Sequence, residues 1–318
     1  MVDLNYEKFE KLRKYYNENC KPLIFSGERK LSTNNCCKMY FLDVTEEQEL
    51  KNYKKVFQEY LALYVRSYDK LKYYKEIDEN STDDEISQYL VKYSSDIWNN
   101  TTLITTSTPE TLGIYGEALN DFYINIVKNE NILITYSSKR AYSERNVRGI
   151  DVLGTTWKNG NLTLIFSECK FVNSISKASI ELSNDIKGTE EEIGHVNKDY
   201  INSYITFVVN KSHSIFAEID NQEKIMSVLD ELNDKVINGV KAIDAFNELN
   251  INIRFTFFAV YHDNKFTPDE RQNMFEKVTD AFAENILYTG IKKYEIEVVF
   301  IPIKNNSSLI KEHMRQWS

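Results

Sequence analysis

Two acidic residues and a lysine lie close to a hairpin signal in the segment GIDVLGTTWKNGNLTLIFSECK, which spans residues 149–170. Asp151 is near the start of the segment, and Glu168 and Lys170 are at its end. Carboxylate oxygens are ligands that Mg²⁺ prefers, and a lysine can stabilise negative charge that develops during a reaction. The combination indicates a catalytic site that binds a divalent cation, provided that the fold brings the three side chains together.

Two strand-like runs joined by a tight turn would hold these residues in place. Asn159 and Gly160 lie between the runs, and this dipeptide favours a two-residue type I′ turn because both turn positions require positive φ angles. In that register Asp151 lies opposite Glu168, with Cβ atoms about 4.5–5.5 Å apart. Side chains alternate along a strand, so Glu168 and Lys170 share one face. We therefore expect two facing carboxylates, whose repulsion a divalent cation would relieve.

Helix and strand patterns alternate around this hairpin. Strand-like runs are rich in β-branched and aromatic residues, whereas helical runs repeat apolar residues every three or four positions. The predicted strands outside the hairpin are NILITYS, YITFVVN, INIRFTFFAVYH and YEIEVVFIPI. The predicted helices are STPETLGIYGEALNDFYINIVK, ISKASIELSNDI, a pair around 222–237 and 240–249, and PDERQNMFEKVTDAFAENIL. This order predicts an α/β fold in which helices flank a mixed sheet.

The first third of the chain has a different character. From residue 46 to about 77, the run EEQELKNYKKVFQEYLALYVRSYDKLKYYK indicates a long amphipathic helix, and a second helical run, EISQYLVKYSSDIW, follows it. We therefore expect the chain to have three parts. Residues 1–105 form a mainly helical accessory region for interactions, residues 106–302 form the domain that contains the hairpin, and residues 303–318 form a tail helix.

The three hairpin residues resemble the PD-(D/E)xK nuclease motif. GID supplies Asp151 and ECK supplies Glu168 and Lys170, although Ile150 stands where the motif has proline. The resemblance implies a restriction-endonuclease-like core. It also implies that Asp151, Glu168 and the backbone carbonyl of Cys169 hold one or two Mg²⁺ ions, for which Mn²⁺ can substitute, while Lys170 activates the attacking water. The Cys169 side chain points to the opposite face, so we expect it in the core.

An acidic residue ahead of the first core strand extends the resemblance. Glu117 follows Gly116 in GIYGEALNDFYINIV, where many of these nucleases place a further acid near the metal. An exposed position on a helix explains Glu117 equally well, so both interpretations stay open. The ensemble of GEALNDF, RGIDVLG and LIFSECKFVNSISKAS is similar to the HamA family, the nuclease subunits of the Hachiman anti-phage defence system, over roughly residues 105–302.

The family resemblance implies DNA as the substrate and a HamB-type helicase as the partner, which supplies translocation driven by ATP. The chain itself has no Walker A pattern, so we expect it to bind no ATP. A stand-alone restriction or repair nuclease is one alternative, and it would cleave DNA without a helicase. Two others stay open: a nuclease-like subunit that binds DNA without cleaving it, and an unrelated protein in which the hairpin acids form only salt bridges.

Basic residues near the hairpin are candidates for contacts with DNA. The connection before Asp151, SKRAYSERNVR, contains four of them and one acid, in a chain whose net charge is −9. Such residues would bind phosphate without reading the base sequence. A further candidate lies in the helix after the hairpin, although simple exposure to solvent explains these residues as well. The candidates for contacts with DNA are Lys139, Arg140, Arg145, Arg148 and Lys177.

The spacing of the cysteines and histidines gives little support for a metal site built from these residues. The four cysteines have no paired CxxC spacing, so we expect free thiols. The histidines are scattered, which argues against a histidine metal ligand; they are His195, His213, His262 and His313. The sequence shows neither a signal-peptide pattern nor an apolar run long enough to cross a membrane. These features predict a cytoplasmic protein that does not contact a membrane.

Overall fold

A seven-stranded mixed sheet with helices packed on both faces forms the centre of the fold. It is seen in a computed structural model that describes residues 4–32, 35–42, 51–53, 55–57, 60, 119–135, 151–172, 175–189, 194–215, 221–261 and 267–302. The prediction of an α/β fold with helices flanking a mixed sheet is confirmed.

The strands, numbered in chain order, join into one sheet. They are β1 Ile24–Lys30, β2 Cys36–Phe41, β3 Asn131–Thr135, β4 Val152–Lys158, β5 Asn161–Val172, β6 Asn252–Tyr261 and β7 Tyr294–Pro302. Their order across the sheet is β1-β2-β7-β6-β5-β4-β3. Strands β2, β7, β6 and β5 run parallel, while β1 at one edge and β4 and β3 at the other pair antiparallel with their neighbours. Burial on both faces explains why β6 and β7 read as almost continuous apolar runs.

Helices cover the two faces of the sheet. They are α1 Leu4–Asn19, a π-helix Tyr123–Val127, α2 Ile175–Lys187, α3 Lys198–Ile215, α4 Gln222–Ile237, α5 Ala242–Glu248 and α6 Pro268–Ile286. Helices α2 to α6 pack on one face, here called the α2 face. Helix α1, the helical residues 51–53 and 55–57, and the π-helix pack on the other, here called the π-helix face. Within the described ranges, no helix is long and apolar enough to cross a membrane.

Local sequence signals account for several of these elements. Helix α6 begins with a capping box, in which the side chains of Thr267 and Glu270 each accept a hydrogen bond from the other's backbone N–H, and Pro268 occupies the first turn. Helix α2 buries Ala178 and Leu182, which are one turn apart, against the sheet. Helix α6 therefore begins where its capping residues predict, and helix α2 faces the core with its apolar stripe.

The hairpin between β4 and β5 has the predicted turn and the predicted register. Asn159 and Gly160 have φ angles of 53° and 79°, as a type I′ turn requires. Lys158 pairs with Asn161 beside the turn, and the same register holds along the whole β4–β5 ladder. The register brings Asp151, the residue before β4, to the part of β5 that carries the candidate catalytic residues.

Replacing Gly160 by alanine should lower the free energy of unfolding by about 1–2 kcal/mol, because an L-residue with a side chain is strained at a left-handed φ angle. An added Cβ atom would meet nothing within 4 Å, so the loss would come from backbone conformation alone. Urea denaturation measures the change. Gly160→Asn is the matched control and should lose less, since asparagine visits this conformation more readily. Equal losses in the two variants would contradict the explanation.

One predicted strand is wrong. YITFVVN lies within α3, where Ile201, Tyr204, Ile205 and Val208 are buried at the spacing of one helix face. A short, uniformly apolar run fits both a buried strand and a buried helix, because its periodicity is hidden. The longer segment Lys198–Ile215 favours the helix, because polar residues on both sides of the apolar run complete an amphipathic pattern.

Two strands lie in the region that was predicted to be mainly helical. Strands β1 and β2 belong to the same sheet as the hairpin. Most residues of β1 are exposed, as expected of an edge strand, so the strand lacks the alternation that would have revealed it. Residues 61–118 and 303–318 lie outside the described residues, so the boundary near residue 105 and the tail helix stay predictions.

A buried cluster of charged side chains lies on the π-helix face. Arg254 on β6 is only 4% exposed and donates hydrogen bonds to both carboxylate oxygens of Glu130. The Nε atom of Arg254 also lies 3.7 Å from Oε2 of Glu297 on β7. Lys128 Nζ is 2.9 Å from Glu297 Oε1, and Lys158 Nζ is 2.8 Å from Glu130 Oε1. These contacts tie the residues before β3 to β4, β6 and β7.

Candidate active site

The α2 face brings Glu168 and Lys170 together near the carboxyl end of β5, where Lys170 Nζ lies 3.1 Å from Glu168 Oε1. Asp151 directly precedes β4, and its Oδ2 accepts a hydrogen bond of 2.7 Å from the backbone N–H of Cys169. The backbone N–H of Asp151 donates to the carbonyl of Ser167 at 3.1 Å. These bonds hold Asp151 against β5, close enough for its charge to act on Glu168.

A third carboxylate reaches the same place from α2. This helix follows β5 closely in the chain and packs against β5 and β6. Leu182 and Ile186 are fully buried in the core, so Asp185, which lies between them in sequence, is at the border of the buried stripe. Lys170 Nζ is 2.6 Å from Asp185 Oδ2. One ammonium group therefore bridges Glu168 and Asp185.

The segment after α2 adds an imidazole. The backbone N–H of His195 donates to the carbonyl of Asp185 at 2.6 Å, which satisfies one of the last carbonyls of the helix. Gly194 permits this approach, because a Cβ atom there would lie 2.3 Å from a backbone carbon at the end of α2. The His195 ring stacks on Tyr200, with centroids 5.3 Å apart, and its Nδ1 lies 3.9 Å from Glu168 Oε2. The ring is thus held beside the carboxylates.

Burial and neighbouring charges shift the pKa values of the cluster. Burial raises the pKa of Glu168 well above its ordinary range, and Asp151 and Asp185 raise it further, while Lys170 opposes them. Burial also raises the pKa of Asp185, against the lowering effect of Lys170. Burial alone would lower the pKa of Lys170, but the carboxylates outweigh it and raise that pKa, so the amine stays protonated. Three carboxylates against one ammonium group make the site attractive to a cation.

The residues of the site fit a divalent cation. Glu168 is 6% exposed, and its Oε2 has no hydrogen-bond partner among the described residues. One potential ligand atom from each of Glu168, Asp185 and His195 lies within 4.8 Å of the other two. A buried carboxylate oxygen without a partner is costly, and a metal ion is one way to satisfy it. The chemistry and burial of the donor set are therefore compatible with a divalent metal ion.

Not every predicted site residue can be placed. The following lie outside the described residues, and their roles stay predictions: Glu117, Lys139, Arg140, Arg145 and Arg148. Lys177 is exposed in the first turn of α2, where its Nζ is 3.5 Å from Glu181 Oε1. The Cys169 side chain packs against the core of the π-helix face, as predicted. The role of its backbone carbonyl as a metal ligand stays a prediction.

Sequence reasoning missed Asp185 and His195. A weak signal existed for Asp185, since it is a charged residue beside the buried stripe of the helix that follows β5. His195 gave no signal, because it is isolated in the sequence and reaches the site only where the chain returns to the end of α2. The expectation that no histidine binds metal stays a prediction, although His195 lies at the site.

Fold and site together define an α/β protein that holds three carboxylates, a lysine and a histidine beside the central strands of a mixed sheet. The HamA family model matches residues 15–316, so the chain belongs to the HamA family. Membership of that family implies a role in Hachiman anti-phage defence, a system of several components. No curated protein and no solved structure matched the chain.

Proposed function

We propose that this chain is a metal-dependent deoxyribonuclease and acts as the effector of a helicase–nuclease defence complex. The observation that carries the proposal is the contact between Lys170 and Glu168 on β5, beside Asp151 at the start of β4. The three residue types and their order along the hairpin are those of the PD-(D/E)xK motif, and a mixed sheet flanked by helices is compatible with such a core. Membership of a defence family supports destruction of DNA as the outcome.

Each residue of the hairpin has a distinct role in this proposal. Asp151 and Glu168 would hold a Mg²⁺ or Mn²⁺ ion through carboxylate oxygens. When bound, the ion lowers the pKa of a water ligand and neutralises charge on the scissile phosphate. Lys170, which stays protonated, stabilises the negative charge that develops on that phosphate. Its contacts with Glu168 and Asp185 hold the ammonium group in position before DNA binds.

The charge of the chain supports a need for a partner. The net charge of −9 disfavours unassisted binding to DNA, which is itself a polyanion. A HamB-type helicase that delivers the DNA would overcome this repulsion and would restrict cleavage to DNA that it has engaged. We therefore propose that the nuclease works in the cytoplasm as one subunit of such a complex.

A plasmid-cleavage assay tests the proposed function. Purified protein is incubated with plasmid DNA and either Mg²⁺ or Mn²⁺, with and without the helicase. The matched control is the double variant Glu168→Gln/Lys170→Met, which removes one negative and one positive charge and so keeps the net charge of the site. We expect cleavage by the wild type when metal and helicase are both present, loss of cleavage on addition of EDTA, and no cleavage by the double variant.

The other outcomes separate the remaining alternatives. Cleavage by the wild type without the helicase would favour a stand-alone nuclease. An absence of cleavage with every metal and form of DNA would favour a subunit that binds DNA, or a cluster of salt bridges without catalytic function. Equal cleavage by the wild type and the double variant would place the chemistry elsewhere, provided that thermal denaturation shows both proteins to be folded.

A further inference from the structure

We propose that Glu168, Asp185 and His195 together bind a divalent transition-metal ion such as Mn²⁺, and that His195 makes the site favour this ion over Mg²⁺ and Ca²⁺. The inference rests on the proposed metal-dependent function and deepens it. It adds two ligands that the hairpin motif does not contain, one from α2 and one from the segment that follows α2.

The spacing of the three side chains carries the first part of the argument. One ligand atom from each residue lies within 4.8 Å of the other two. Three atoms separated by 4.8 Å lie about 2.8 Å from a common centre, and bonds to a first-row metal ion are about 2.1 Å long. A shift of about 0.7 Å in each ligand atom, which side-chain rotation can supply, therefore brings all three to bonding distance of one ion. No rearrangement of the sheet is needed.

The buried oxygen of Glu168 carries the second part. Lys170 contacts Oε1, whereas Oε2 faces His195 and lacks a hydrogen-bond partner among the residues that the structure describes. A cation between Oε2 and the imidazole would thus bind an oxygen that Lys170 does not use. The ammonium group and the metal ion can occupy the two sides of the same carboxylate, each close to a phosphate that enters the site.

The backbone holds the imidazole in place before any ion arrives. The N–H of His195 donates to the carbonyl of Asp185 at 2.6 Å, and the N–H of Val196 donates to the carbonyl of Ile186 at 3.3 Å. The stack on Tyr200 fixes the plane of the ring. Because these contacts already orient the His195 imidazole, metal binding costs little side-chain conformational entropy.

The mixed donor set predicts the metal preference. Mg²⁺ and Ca²⁺ bind oxygen ligands almost exclusively, whereas first-row transition-metal ions also bind imidazole well. In addition to Asp151, which the proposed function assigns to the metal ion, Glu168, Asp185 and His195 therefore give Mn²⁺ three ligands and Mg²⁺ only the two carboxylates. Loss of the imidazole should weaken Mn²⁺ binding selectively, while loss of Asp185 should weaken the binding of both ions.

Isothermal titration calorimetry of the purified full chain tests this inference without measuring cleavage. Mn²⁺ and Mg²⁺ are titrated separately into the wild type, His195→Ala, His195→Phe and Asp185→Asn. We expect both His195 variants to weaken Mn²⁺ binding by at least about tenfold and to change Mg²⁺ binding by less than about threefold. Asp185→Asn should weaken the binding of both ions by at least about tenfold. Glu248→Gln, which removes an exposed carboxylate on α5, is the control and should bind both ions like the wild type.

The phenylalanine variant distinguishes ligation from packing, because it keeps an aromatic ring stacked on Tyr200 and removes the nitrogen. Full Mn²⁺ affinity in His195→Phe, or an equal loss of Mn²⁺ and Mg²⁺ affinity in both His195 variants, would overturn the inference. If the wild type binds metal and cleaves DNA while the His195 variants keep its metal preference, the proposed function stands and this inference fails. If the wild type binds neither ion and cleaves no DNA, both fail.

Discussion

Replacing Lys170 by methionine is expected to lower the rate of DNA cleavage by about 10²–10³-fold, the usual loss when one group that stabilises transition-state charge is removed. The ammonium group lies 3.1 Å from Glu168 Oε1 and 2.6 Å from Asp185 Oδ2, so it is adjacent to the carboxylates that would hold the metal. Methionine keeps most of the apolar stem and removes only the charge. The rate should be measured with saturating metal ion and with the helicase present.

Two controls separate a chemical effect from a structural one. Lys235→Met removes a lysine whose exposed ion pair with Glu248 on α5 is remote from the site, and it should leave the cleavage rate unchanged. Thermal denaturation with metal present shows whether the Lys170 variant is folded, because an ion at the site would replace part of the lost positive charge. A folded Lys170→Met protein that cleaves within about tenfold of the wild-type rate would contradict the proposed role of Lys170.

Replacing Arg254 by methionine should lower the free energy of unfolding by about 3–5 kcal/mol, since it leaves buried carboxylates without their main partner. Arg254 on β6 contacts Glu130, which directly precedes β3, and Glu297 on β7. Burial alone would raise the pKa of Glu297, but Arg254 and Lys128 hold that pKa below its ordinary value. The carboxylate of Glu297 is therefore charged and depends on these cations. Urea denaturation near neutral pH measures the loss.

A second substitution tests whether the loss comes from uncompensated charge. In Arg254→Met/Glu130→Gln one buried negative charge is removed together with the guanidinium group. This double variant should recover about 2 kcal/mol or more relative to the single variant, because replacing both members of a buried pair costs much less than removing one. A single variant that loses less than about 1 kcal/mol would show that the cluster contributes little to stability.

The hairpin could be predicted from the sequence because its signals are local. Asn159 and Gly160 adopt the positive φ angles that their types favour, and alternation along β4 and β5 then determines which side chains share a face. The register predicts that Asp151 is near Glu168, and the bond from Cys169 to Asp151 agrees with that position. This part of the site needs no contact between residues that are distant in the chain.

The rest of the site depends on tertiary packing and gave weaker signals. Asp185 is at the site because α2 packs its apolar stripe on the sheet, and His195 is there because the chain returns to the end of that helix. Strand β2 posed the same difficulty, since its place beside β7 has no local signature. YITFVVN shows that a local signal can also mislead. The run is almost uniformly apolar, so it was predicted to be a buried strand, but it forms part of helix α3.

The pairing of β2 with β7 also affects how the protein is made. A ribosome releases β2 early and β7 last among the described strands, and the two must then pair in parallel. Contacts between segments so far apart in sequence form slowly, because a long loop must close first. While the chain is being synthesised, the β4–β5 hairpin with Asp151 and Glu168 can form. Until β7 is available to pair with β6 and β2, however, β1 and β2 cannot join the sheet. Completion of the sheet therefore waits for β7, whereas the hairpin that carries the candidate catalytic residues can form earlier.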